Sequence, residues 1–179
     1  MVQFREQLLV EPMRDGDVPT VQAIERLIFS SPWPSQAYYR ELSSPANAAY
    51  LVLRRSSPQP SIVGYAGMWR AQDEAHVTTI GVRADLQRRG YGRVLFASLL
   101  QEAYQGGAKW VTLEVRVSAT RAINLYAGFG FKIIGCRPGY YVDNRENALV
   151  MWSDAIYAPP FRKVWDWNWA RIEAEVRRP

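Results

Sequence analysis

Apolar residues recur along this chain with two periods, and the switches between them predict its elements. Gln7 to Pro12 is a short strand-like run. Val18, Val21, Ile24 and Leu27/Ile28 then recur at helical spacing behind Asp15 or Asp17, either of which can cap the helix, and Pro32 and Pro34 stop it. A second short helix is predicted around Gln36 to Leu42. Ala49 to Arg54 and Ile62 to Trp69 read as a strand pair joined by the turn-rich RSSPQPS, and Ala71 to Ala75 turns the chain into a strand from His76 to Val82. Past Gly90 and Gly92 the helical period returns, with Tyr91, Leu95, Leu99 and Ala103 on one stripe that ends at Gly106-Gly107. Trp110 to Val117 alternates and is β-rich. Ser118 can cap a short helix through Tyr126, which Gly128 and Gly130 close, and strands follow at Phe131 to Gly135 and Ala148 to Trp152. This order predicts a mixed α/β (α+β) domain with helices on a central sheet.

The end of the chain departs from that order. Trp165, Trp167 and Trp169 stand at alternate positions, so an extended segment would put them on one face, whereas a helix would spread them over more than one. Residues 159–179 are therefore set apart as a Trp-rich tail behind a domain of residues 1–158. Its aromatics are expected to pack on the body, the sharper alternative being a dock for a partner or a membrane surface.

The junction from Thr78 to Arg93, TTIGVRADLQRRGYGR, carries the first chemistry. A β-branched strand breaks into an arginine-rich loop, and two glycines lead into a helix whose first N–H groups sit at the positive end of its dipole, a ready anion site. Arg93-Val94 lacks the Lys-Ser/Thr of a Walker loop, and Leu95 stands where a Rossmann fingerprint needs a third glycine. Gln87 to Arg93 reads instead as a pyrophosphate cradle.

Composition narrows the setting. The length of 179 residues suits one domain. No apolar run reaches the roughly 18 residues of a membrane span, and the only apolar run near the amino terminus carries charges, so the cytosol is the expected compartment. The single cysteine, Cys136, cannot form an internal disulfide and is taken as structural, and no Cys/His cluster suggests a metal. A net charge of +5 favours anionic partners such as a phosphate-bearing ligand, an acidic peptide or RNA. The basic residues are dispersed, and direct nucleic-acid binding is not expected.

The segments AHVTTIGVRADLQRRGYGRVL from Ala75, LEVRVSATRAINLYAGFGFKIIGCRPGYY and RENALVM together resemble the ribosomal-protein N-terminal acetyltransferase (RimI-like) branch of the GNAT superfamily, over roughly Gln7 to Met151. The resemblance implies a GNAT fold, a mixed, mostly antiparallel sheet flanked by helices, and acetyl-CoA as cosubstrate without a metal. It implies that Ile80, Gly81 and Val82 lend backbone to the pantetheine arm, with Gly81 allowing close approach and a nearby bulge splaying the strand from its neighbour. Arg88, Arg89, Gly90, Tyr91, Gly92 and Arg93 would bind the pyrophosphate. It implies Glu114 as general base, the alternative being a pair with Arg116, and Tyr126 as general acid, the alternative being a core tyrosine. His76, expected to share a face with Thr78 and Ile80, is a candidate proton relay or a structural histidine. Glu25, Pro32 and Trp33 with Tyr140 and Tyr141 would receive the acceptor, a protein or peptide N-terminus. Ser118-Ala119 replaces the branch's usual Ser-Asn, Glu146-Asn147-Ala148 its usual Glu-Asp-Ala, and Ala84 a common proline, so altered cofactor contacts or peptide specificity are expected. Rival readings are an acetyltransferase for a small amine or lysine, and a non-enzymatic acyl-CoA-binding or partner-docking module.

Overall fold

The computed structural model describes residues 8–56 and 59–175. Gln7, at the start of the first expected strand, two residues of the RSSPQPS turn and the last four residues of the tail lie outside the described residues. Seven strands form one sheet: β1 (Leu8–Pro12), β2 (Ala48–Arg55), β3 (Ser61–Ala71), β4 (Glu74–Val82), β5 (Trp110–Arg116), β6 (Lys132–Arg137) and β7 (Ala148–Trp152). Their spatial order is β1-β2-β3-β4-β5-β7-β6. Every neighbouring pair is antiparallel except β4 and β5, so the sheet is mixed and mostly antiparallel.

Helices cover both faces. On one lie α1 (Val18–Ile28) and α2 (Ser35–Leu42), whose Val18, Val21, Ile24 and Tyr38 bury against Tyr50, Val52, Ile62 and Tyr65 of the sheet. On the other, α3 (Tyr91–Gln105) connects β4 to β5. Its predicted stripe of Tyr91, Leu95, Leu99 and Ala103 is wholly buried. The short α4 (Thr120–Gly128) and the terminal α5 (Pro159–Glu175) complete that layer. Phe161, Trp165 and Ile172 of α5 enter the α3-side core, Trp169 packs partly against it, and Trp167 stays exposed. The helix thus spreads its tryptophans over several directions, as 3.6-residue periodicity requires.

Several boundaries differ from expectation because side chains found tertiary partners. Asp17 stands at the α1 cap position but makes no capping bond. Its carboxylate accepts from the Arg14 N–H at 3.0 Å and from Arg54 at 2.5 Å. Helix α1 ends at Ile28, before either proline. Ser118 does not cap α4 either: Ala119 takes that position, and the Ser118 N–H donates to Glu146 at 2.9 Å. Cys136 is exposed on the edge strand β6, so it fills no place in the core.

The feature that positions the site is a split in mid-sheet. Strands β4 and β5 pair from Glu74↔Trp110 to Val77↔Leu113 and no further. The β3 register skips Thr78, pairing Gly67 with Thr79 and Met68 with Val77, so a bulge sits where the parallel ladder stops. Thereafter β4 follows β3 to Val82 while β5 follows β7 to Arg116, and a wedge opens between them.

Candidate active site

A cleft of about 820 Å³ occupies this wedge. Val77 to Ile80 of β4 form one side, Leu113 to Arg116 of β5 the other, and Ala119, Ala122 and Tyr126 close it from α4. At the opposite mouth stand Glu25 and Trp33 from the α1–α2 region and Tyr140, Tyr141 and Asp143 from the β6–β7 loop. The bulge had been expected near Gly81; it lies at Thr78 and has the expected effect of parting the strands.

Gly81 has a packing reason to be glycine besides the one expected. A Cβ there would lie 2.6 Å from Tyr65 Cε1 and 2.7 Å from Ile28 Cδ1. The bulge also alters which residues share a face with His76. One extra residue inverts the alternation, so Ile80 packs with the α3-side core while His76, opposite Trp69, faces the α1–α2 side.

Beyond Ile80 the strand runs into a 3₁₀ turn at Ala84–Leu86 and then α3. The Gln87 amide donates to the Val82 carbonyl at 3.2 Å and ties the turn to the strand end. Gly90 has φ +85°, a left-handed conformation that favours glycine, and Arg88 shares it at φ +66°. A Cβ on Gly92 would meet only Leu125, at 3.7 Å, so the space in front of this first turn is open. Among the described residues no ion pair engages Arg88, Arg89 or Arg93. Open space at the positive end of α3, beside three guanidinium groups that make no ion pair among the described residues, fits a pyrophosphate-bearing cosubstrate.

Glu114 lies at the meeting point of the cleft, its side chain 9% exposed. Its Oε2 is 2.9 Å from His76 Nε2, and its Oε1 is 3.1 Å from an Arg137 guanidinium nitrogen. The alternative partner, Arg116, is committed elsewhere: it pairs with Asp143 at 2.8 Å and Glu146 at 3.1 Å, bonds Asn144 at 3.0 Å, and stacks over Tyr141 at 3.8 Å. Arg116 therefore organises the loop that carries Tyr140 and Tyr141, a function that sequence spacing did not reveal. Ser30, after α1, donates to Asp143 and joins the two sides of that mouth.

Tyr126 reaches the cleft from α4, its ring packed on Phe96 and Phe131. Burial, with a smaller contribution from Tyr141, pushes its phenol above the usual tyrosine range and keeps it protonated. Tyr141 is pushed up to about 12, burial outweighing the nearby Arg116 charge. Glu25 is buried, and desolvation raises its carboxyl even though Tyr38 OH donates to Oε1 at 3.0 Å. Its Oε2 has no hydrogen-bond partner among the described residues. Trp33 stacks between Tyr38 and Trp69, and Trp69 lies on His76 with ring centroids 6.0 Å apart. The structure thus brings Glu25, Trp33, Glu114, Tyr126, Tyr140 and Tyr141 to one wedge, with Arg88 to Arg93 beyond Ile80 on the same strand and turn; His76 stays in the paired part of β4 and meets the site only through Glu114.

Comparison with known proteins agrees with this geometry. Residues 18–131 match the model of the acetyltransferase (GNAT) family. The chain is 36% identical to the N-alpha-acetyltransferase RimI of Mycobacterium tuberculosis over 84% of this chain and 94% of that protein. It is 31% identical to the [ribosomal protein bS18]-alanine N-acetyltransferase of Escherichia coli over 79% of this chain and 94% of that one. The crystal structure of the Escherichia coli ribosomal-protein-S18-alanine N-acetyltransferase superposes with a TM-score of 0.76, at 28% identity, covering 85% of this chain and 96% of that chain.

Proposed function

The chain belongs to the acetyltransferase (GNAT) family, and on that premise we propose that it transfers an acetyl group from acetyl-CoA to the α-amine at the N-terminus of a protein, with Glu114 as general base and Tyr126 as general acid. The observation that carries this assignment is the wedge itself. It sets an almost buried carboxylate and a protonated phenol on the two flanks of one opening that runs from a helix-start anion site to a tyrosine-walled mouth.

Acetyl-CoA supplies the thioester whose acetyl carbon the amine attacks. Arg88, Arg89, Arg93 and the amides of the α3 start would hold its pyrophosphate, and the parted edge of β4 from Ile80 to Val82 would take the arm. Glu114, through a water, takes one proton from the acceptor ammonium, and Tyr126 gives its hydroxyl proton to the departing sulfur and is reprotonated from the nitrogen. An ammonium and a thioester become an amide, a thiol and one proton released to solvent. An α-ammonium, with a reference pKa of about 7.7–8.0, is easier for such a base than lysine at about 10.4.

Glu25, Trp33, Tyr140 and Tyr141 would wall the acceptor slot, and His76 would orient Glu114. The bridge from Ser30 to Asp143 narrows the mouth, which suits a chain terminus better than an internal side chain. The relatives' names point to an alanine of a ribosomal protein as acceptor, and such an acceptor would be met in the cytosol. The α5 segment, set apart from the catalytic domain by its sequence, is assigned a packing role. The test is thiol release from acetyl-CoA with a panel of N-terminal peptides, free lysine and small amines. Turnover confined to the amines and lysine would refute the acceptor class, and near-normal rates in Glu114→Gln would refute the base.

A further inference from the structure

Glu114 is flanked by two nitrogen groups that differ in setting. His76 is held from behind, its ring stacked on Trp69 and its strand locked in the sheet. Arg137 is the last residue of β6, just before the turn at Pro138-Gly139 that begins the acceptor loop. Its side chain is 58% exposed, yet it reaches a carboxylate that is only 9% exposed. It therefore approaches Glu114 from the solvent side. The same guanidinium lies 5.7 Å from the centroid of Tyr140, so it has a second resting place on an aromatic face.

We propose that Arg137 is a positioning residue that holds the acceptor ammonium's place on Glu114 before binding and reclaims it after transfer. This rests on Glu114 being the base. An almost buried carboxylate is costly without a compensating cation, and Arg137 supplies one. An arriving α-ammonium brings an equal charge and three N–H donors, so it displaces Arg137 toward Tyr140 with the carboxylate compensated throughout. Acetylation removes that charge. The amide product has one neutral N–H with which to compete for Glu114, and the return of Arg137 favours its release. The exchange acts at the reacting nitrogen, independently of the side chains that follow it.

Equilibrium binding to the CoA-saturated protein tests this apart from turnover. The probes are an alanine-initiated hexapeptide, its Nα-acetylated form and a des-amino analogue in which hydrogen replaces the α-amine. In Arg137→Ala the amine peptide and the acetylated peptide bind about two- to fivefold more tightly, because neither competes with a guanidinium, while the des-amino analogue is unchanged; the size reflects a largely exposed ion pair. Arg137→Lys retains the cation and stays within about twofold of the original protein. Weaker binding of the amine peptide, or an equal change for all three probes, would overturn the proposal and make Arg137 a support for the loop. These constants do not depend on proton transfer, so a failure of Glu114 as base would show instead as near-normal turnover in Glu114→Gln.

Discussion

On the α1 side of the cleft a single carboxylate, Glu25, is buried with one oxygen unpartnered among the described residues. On the β6–β7 side two carboxylates, Asp143 and Glu146, are gathered by one guanidinium, that of Arg116. Burial raises the Glu25 carboxyl, whereas hydrogen bonds from Ser118 and the Arg116 pair bring Glu146 down to about 2, and Ser30 and Arg116 lower Asp143. One wall is shaped by packing and tolerates a strained charge. The other is shaped by charge, with its tyrosines positioned through Arg116. Two walls of one cleft are thus held by forces that respond oppositely to pH.

The largest expected effect lies on the two groups between the walls that we propose as base and acid. Glu114→Gln and Tyr126→Phe should each lower kcat by about 10²-fold, with unchanged affinity for CoA in direct titration. A fall confined to one of them would restrict the chemistry to one flank. Next, Arg116→Ala dismantles the ionic wall: the acceptor KM should rise about tenfold, kcat and the acetyl-CoA KM much less, as loss of charged hydrogen bonds predicts. Steady-state kinetics with each substrate varied separates these.

The packed wall gives a smaller effect of opposite sign. Because the folded protein raises the Glu25 pKa, that group's contribution is fully present below its ordinary value of 4.5 and is lost as pH rises through the folded value. As pH rises above 4.5 the cost of charging this buried carboxyl therefore opposes folding. Glu25→Gln should raise stability by about 1 kcal/mol, or about 2–4 °C in Tm, and the gain should vanish at acid pH in thermal melts. Ser30→Ala, which cuts the exposed link between the walls, should change the acceptor KM by less than about twofold.

Much of this was legible in the sequence where one residue type had one physical meaning. The α3 stripe, the strand at Ala148 to Trp152 and the glycines before α3 appear as read, because apolar period and turn chemistry act locally. A bulge was expected near Gly81, but its position at Thr78 left no trace: two consecutive threonines suit either face of a strand, and only pairing with β3 shows which is skipped. Asp17 and Ser118 failed as caps for a related reason, since the Asp17 carboxylate accepts from Arg54 and the Ser118 N–H donates to Glu146. The flanking cations were hidden most completely. Arg116 stands two residues from Glu114 yet pairs across the loop, while Arg137, twenty-three positions away, reaches it. Sequence separation carries no information about which cation a carboxylate will meet once strands are laid side by side.

The interrupted ladder between β4 and β5 also has a mechanical meaning. Four parallel residue pairs, from Glu74 with Trp110 to Val77 with Leu113, stitch a leaf of β1 to β4 onto a leaf of β5, β7 and β6. Past that seam the leaves stand apart like a book sewn at one end of its spine. Atoms laid between the open pages extend the seam, so occupancy of the wedge stiffens the union of the two leaves as well as bringing reactants together.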